Sequence, residues 1–206
     1  MQKFTDLHQK AWELIRVGRF FFRSGWVPAT SGNFSARLDS GDVAITVSGR
    51  HKGDLTERDI MVVNLDGQPL TDQKPSAETL LHTRLYRRNP DAGAVLHTHS
   101  ANATVLSRLH RDALRLVDYE VLKALPGVAS HQETITVPIF ANDQDIRRLA
   151  GAVEAYLDSH PPVYGYLIAG HGFYTWGRTV ADARRHVEAF EFLFQCEMLL
   201  QRISQP

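Results

Sequence analysis

"KPSAETLLHTRLYRRNPDAGAVLHTHSANATVL", residues 74–106, carries the reading of the fold. Ser76 is a good N-cap, and the residue before a proline is pushed out of the helical region, so the spacing predicts a helix over 77–88 that stops before Asn89-Pro90. The apolar run "GAVLHT" that follows is predicted to be a strand. Successive strand side chains point to opposite faces, which puts His97 and His99 on the same face where that strand ends. Two imidazoles so placed can share one metal ion.

Outward from this stretch, helical and extended periods alternate without a repeat, a low-complexity tract or a dividing linker, which predicts a single domain over 1–206. "NFSARL", "DVAITV", "IMVVNL", "ITVPIF" and "GYLIAG" are short, β-branched or aromatic, and bounded by Gly, Asp, Asn or Pro, as strands are. Residues 5–24 place Leu7, Ala11, Leu14, Ile15 and Phe22 on one side of a helix that Gly25 can close in the left-handed conformation. A further helix is predicted over 143–159, after Asn142 and before Pro161-Pro162. A long one from Thr179, with Val187, Phe190, Phe194, Met198 and Ile203, is predicted to cover a sheet. Because the order of strands and helices is irregular, the expectation is an α/β fold with a mixed sheet between helix layers, not a doubly wound one.

Composition narrows the function classes. The 206 residues are 43% hydrophobic and 22% charged with a formal net charge of +0, a globular balance with no global field to hold nucleic acid or an anionic membrane. The start "MQKFTDLHQKAWELIRVG" is charged and amphipathic, and no eighteen consecutive residues are apolar, so a cytoplasmic location is expected. Cys196 is the only cysteine, which excludes an internal disulfide and a thiolate-rich zinc site; a metal would take mainly nitrogen and oxygen ligands.

Ten histidines are present, and most of those other than His97, His99 and His171 sit in charged or loop-like contexts such as "GRHKG", "RLHRD" and "DSHPP", which suggest solvent. His171, flanked by glycines in "YLIAGHGFYTWG" at the end of an apolar strand, is the candidate third ligand. Three protein ligands with an open position suit catalytic zinc, and imidazole also accepts iron, nickel, cobalt or manganese. "TSGNFS" at 30–35 and "TVSGRHKG" at 46–53 are small-residue turns whose backbone N–H groups can converge on an anion. The predicted helix after Ser76 offers its positive end to the same kind of ligand, and Glu78 in its first turn is favoured by the same dipole.

Taken in order, "TSGN", "SG" after a strand, "KPSAE", "HTHS" and "GHG" resemble the class II aldolase and adducin family over nearly the whole chain. Residues 74–106 and "DYEVLKALPG" look like its dehydratase branch. The resemblance implies α/β/α layers with a mainly antiparallel mixed central sheet and a homotetramer. It also implies a divalent metal, commonly Zn2+, one per subunit near subunit interfaces, and a small sugar-phosphate substrate. His97, His99 and His171 match the family's metal ligands, and Thr30, Gly32, Asn33, Ser48, Gly49 and Ser76 match its phosphate-binding turns. Glu78 matches the acid/base glutamate of the fuculose-phosphate aldolase branch, and Glu120 that of the dehydratase branch. Ala77 stands where the aldolase pattern has a second serine, which removes one hydroxyl donor. Without the resemblance, Glu120 reads as a solvated residue facing Lys123 three positions on. The implied activity is a metal-dependent hydro-lyase acting on a methylthio-bearing pentulose 1-phosphate in methionine salvage. A sugar-phosphate aldolase or epimerase would use the same enediolate, and an adducin-like interaction module would have no need of converging imidazoles.

Overall fold

Strand β4 (Ala94–Thr98) runs antiparallel between β1 (Asn33–Arg37) and β8 (Gly172–Gly177), and this places His97 opposite Asn33 on one side and Tyr174 on the other. The computed structural model describes residues 2–160 and 162–203, so Pro161, read above as a helix stop, lies outside the described residues. The remaining strands are β2 (Val43–Thr46), β3 (Ile60–Val63), β5 (Ala113–Leu116), β6 (Ile135–Phe140) and β7 (Gly165–Ile168). Among the described residues they form one eight-stranded sheet in the order β3-β2-β1-β4-β8-β7-β6-β5. Every pairing is antiparallel except β6 with β7.

Helices cover both faces. On one side, α2 (Thr79–Arg88) and α4 (Ile146–Ser159) bury Leu81, Leu85, Leu149 and Val153 against Val43, Ile45, Val95 and Tyr174. On the other, α1 (Gln2–Arg23), α3 (Ala101–Leu109) and α5 (Val180–Ile203) bury Leu14, Phe21, Leu106, Phe190 and Phe194 against Phe34, Leu96, Leu167 and Phe173. The expected α/β/α layering with a mainly antiparallel sheet is therefore present. Gly25 closes α1 at φ 75°, and Trp26 N–H donates to Phe21 O at 2.9 Å, which satisfies an end carbonyl.

Several local expectations need correction. Ser76 does not cap α2: the helix begins at Thr79, Glu78 occupies the cap position, and Ser76 shapes a preceding turn by accepting from Glu78 N–H at 3.3 Å. Asp145 caps α4 in place of Asn142, accepting from the N–H groups of Arg147 and Arg148. Phe22 and Ile203 are 42% and 79% exposed, because α1 and α5 turn these positions away from the sheet. His82 and His186 are buried, contrary to the solvent reading of the remaining histidines.

Candidate active site

His97 is fully buried at the end of β4. Its ring stacks on Tyr174 at 3.9 Å and 13°, and Nδ1–H donates to Phe173 O at 3.0 Å. That bond sets the tautomer and leaves the Nε2 lone pair free to bind a metal. His99, just past the strand, is held by its N–H to Trp26 O at 2.8 Å. His171 stands in the tight turn between β7 and β8, its N–H donating to Ile168 O at 3.0 Å. The next residue must be glycine, since a Cβ on Gly172 would lie 2.1 Å from Thr98 O.

His97 Nε2 lies 2.8 Å from His99 Nε2 and 3.4 Å from His171 Nε2, and the three candidate ligand atoms fall within 4.8 Å of one another. Two metal–nitrogen bonds of about 2.0–2.1 Å at the tetrahedral angle separate their nitrogens by about 3.3 Å, so the donor set fits one divalent ion. Burial pushes the His97 pKa well below 6.5, and burial followed by the neighbouring His171 takes His99 to about 4. Both rings are thus neutral, the form that ligates metal.

Glu78 joins this cluster. Its Oε1 lies 3.0 Å from His171 Nε2, and its Oε2 is 3.5 Å from His97 Nε2. A buried row of hydrogen bonds points at the carboxylate. Tyr86 OH donates to Ser35 Oγ and Ser35 to His82 Nδ1, each at 2.8 Å. His82 Nε2–H donates to Asn33 Oδ1, and Asn33 Nδ2 donates to Glu78 Oε2 at 2.6 Å. Tyr174 OH donates to the same oxygen at 3.1 Å. Burial opposes a charge on Glu78, but His97 and His171, when they carry a proton, and the hydrogen bonds from His171 and Asn33 outweigh it and hold the carboxyl well below the usual range. His82 is kept neutral by burial, its pKa lowered to about 4.

The three small-residue turns meet beside the histidines. Gly32 has φ 74°, and a Cβ there would lie 2.6 Å from His97 O, so the first turn lies directly against β4. Lys52 ties it to the second turn: the side chain is buried and Nζ donates to Thr30 O at 2.9 Å and Arg50 O at 2.6 Å. Ser48 N–H reaches Lys74 O at 3.5 Å, which joins the second turn to the third, where Ser76 sits. Thr30, Ser48 and Gly49 are exposed and open to a ligand, whereas the polar atoms of Asn33 are taken up by Glu78 and His82. Burial lowers the Lys52 pKa to about 8, with Glu78 acting in the opposite direction.

Glu120 lies elsewhere in the chain. It opens a 3-10 turn (Glu120–Ala124), its side chain is 72% exposed, and it pairs with Lys123 at 2.6 Å and His131 at 3.8 Å. Within one chain the structure brings Glu78, not Glu120, to the histidines. Sequence reasoning missed Lys52 and His82. Lys52 sits in "GRHKG", which looks like a solvated loop, although the flanking glycines allow the close packing that buries it. His82 lies four residues after Glu78 on the start of α2, a spacing that shares one helix face and could have been noticed.

Residues 12–198 match the family described as Class II Aldolase and Adducin N-terminal domain. The chain is 59% identical over 201 residues to a methylthioribulose-1-phosphate dehydratase of Methylococcus capsulatus, covering 98% of each. It is 58% identical to another of that name from Pseudomonas paraeruginosa, covering 94% of this chain and 95% of the relative. Among solved structures, the l-fuculose-1-phosphate aldolase of Thermus thermophilus superposes with a TM-score of 0.77 at 29% identity, covering 97% of this chain and 98% of that one.

Proposed function

The chain belongs to the class II aldolase and adducin family, and from that premise we propose that it converts 5-methylthioribulose 1-phosphate to 2,3-diketo-5-methylthiopentyl 1-phosphate and water, a hydro-lyase step of methionine salvage. The observation that carries the reading is the 59% identity, over 98% of both chains, to a relative bearing that dehydratase name. His97, His99 and His171 would hold one divalent ion per subunit, with Zn2+ suited to three imidazoles and an open position. Such an ion supplies Lewis acidity toward the substrate's carbonyl and neighbouring hydroxyl oxygens.

The residues of the chain bind, orient and move protons. Thr30, Gly32, Ser48, Gly49 and Ser76 hold the phosphate, and the buried Lys52 ammonium adds charge beneath the first two turns. Holding the phosphate fixes carbons 3 and 4 in register with the acid and base. Glu78, an acceptor in its bonds to Asn33 and Tyr174, is suited to take the proton from carbon 3. Glu120 gives a proton to the hydroxyl leaving carbon 4, and the resulting enol tautomerises to the diketone. Because Glu120 projects into solvent from its own chain, it would serve the site of a partner subunit in a cytoplasmic homotetramer. No helix among the described residues is long and apolar enough to cross a membrane.

A second reading, carbon–carbon cleavage of a sugar phosphate, draws on Glu78 standing 3.0 Å from His171 and on the likeness to the Thermus aldolase. Mass analysis of the products from 5-methylthioribulose 1-phosphate, with metal-replete and chelated protein, separates the two. Metal-dependent loss of one water supports the dehydratase, two smaller fragments support the aldolase, and unchanged substrate overturns both.

A further inference from the structure

Thr98 and Ser100 alternate with the two histidines of "HTHS", and the alternation that aims His97 at Tyr174 and Glu78 turns Thr98 to the opposite face, against α5. There Glu191, 2% exposed, accepts from Thr98 Oγ1 at 3.4 Å, and the nearby Ser100 hydroxyl favours its charged form. Ser100 also caps α3, its Oγ accepting from Ala103 N–H at 3.1 Å. Helix α3 in turn grips the third ligand's turn: Thr104 Oγ1 donates to His171 O at 3.3 Å, and Ser107 Oγ accepts from Gly170 N–H at 2.9 Å. One carboxyl group thus holds the segment bearing two candidate ligands and the helix that steadies the third.

Core packing alone does not account for Glu191. Its neighbours Phe190, Leu193 and Phe194 are buried apolar residues, its Oε2 has no partner among the described residues, and burial pushes its pKa up to about 7. A carboxyl group in such surroundings costs stability relative to an apolar side chain of similar volume. We propose that Glu191 is a positioning residue for the metal centre, anchoring the hydroxyls of Thr98 and Ser100 so that His97, His99 and the His171 turn converge. This rests on the metal reading above.

The test uses the full chain as Glu191→Met, Glu191→Gln and Thr98→Val. Zn2+ affinity is measured by competition with a chromogenic chelator, the visible spectrum is recorded with Co2+ bound, and the melting temperature is taken without metal. Partners that orient metal ligands typically change affinity roughly 10- to 100-fold, so Glu191→Met should weaken Zn2+ at least about 10-fold and alter the Co2+ spectrum. Glu191→Gln, whose amide oxygen still accepts from the hydroxyls, should recover most of the affinity. Thr98→Val, which leaves Glu191 in place, should move the same readouts in the same direction if Glu191→Met does not fold. Full affinity with an unaltered Co2+ spectrum in Glu191→Met, or in Thr98→Val if the former is unfolded, overturns the proposal. So does equal loss in the Gln and Met variants with a matching fall in metal-free melting temperature. Wild-type protein that binds neither ion overturns the metal reading itself, and this inference with it.

Discussion

Asn33 Nδ2 donates to Glu78 Oε2 at 2.6 Å across 45 residues of chain, joining the first small-residue turn to the start of α2 beside the histidines. With Asn33 Oδ1 accepting from His82, both ends of the amide hold protein groups. Asn33→Ala should therefore act mainly on kcat, through a misplaced Glu78, with a smaller effect on KM. A hydrogen bond to a charged group contributes about 1.5–3 kcal/mol, which corresponds to a loss of roughly 10- to 100-fold. Steady-state kinetics decide it: a change confined to KM would make Asn33 a phosphate ligand instead.

His97→Ala should remove both bound metal and turnover, since it deletes the central imidazole of the cluster. Metal content measured by atomic emission on purified protein gives the answer, and full occupancy in the variant would take His97 out of the ligand set.

Glu120→Gln should keep its metal and lose turnover by about 100- to 10,000-fold, the usual contribution of a positioned acid or base. Mixing this variant with His97→Ala and allowing subunits to exchange should restore activity, because some sites then combine an intact histidine cluster with an intact partner Glu120. Normal turnover by Glu120→Gln alone would assign the whole acid/base role to Glu78.

Lys52→Met should raise KM for the phosphorylated substrate by 10-fold or more, on the order expected for losing a charge-assisted contact. The carbonyls of Thr30 and Arg50 would also lose their donor, so a lower melting temperature is expected alongside. An unchanged KM would confine Lys52 to tying the two turns together.

Gly32→Ala should destabilise the chain by at least about 1–2 kcal/mol, the cost of a Cβ in the left-handed region. Its Cβ would also come within 2.6 Å of His97 O, so Zn2+ affinity should fall with stability. Urea denaturation and chelator competition measure the two effects; a variant as stable as wild type would mean that the turn can move off β4.

Strands β1 to β4, β6 and β7 were legible because each is a short β-branched or aromatic run between turn residues, and "GAVLHT" carries both the period and the histidines. Three elements escaped it for local reasons. Strand β8 begins and ends in glycine, β5 is four residues beside the charged "RLHRD", and α3 is a nine-residue helix of small and β-branched residues. In each, tertiary pairing outweighs weak local preference. The shift of the α2 start from residue 77 to Thr79 has a similar origin: the Ser76 hydroxyl accepting from Glu78 N–H favours a turn where a cap was predicted.

The order of residues by itself determined that His97 and His99 share a face, that glycines frame His171, and that a thiolate-rich zinc site within one chain is excluded, because these follow from strand period and residue chemistry alone. Only the tertiary structure decided that His171 meets the pair, that Glu78 and not Glu120 stands beside them within one chain, and that Lys52, His82 and Glu191 are buried. The physical reason is that contacts between residues tens of positions apart depend on strand order and on which helix covers which face. Those choices are made by burying the whole apolar surface at once, and no local window contains them.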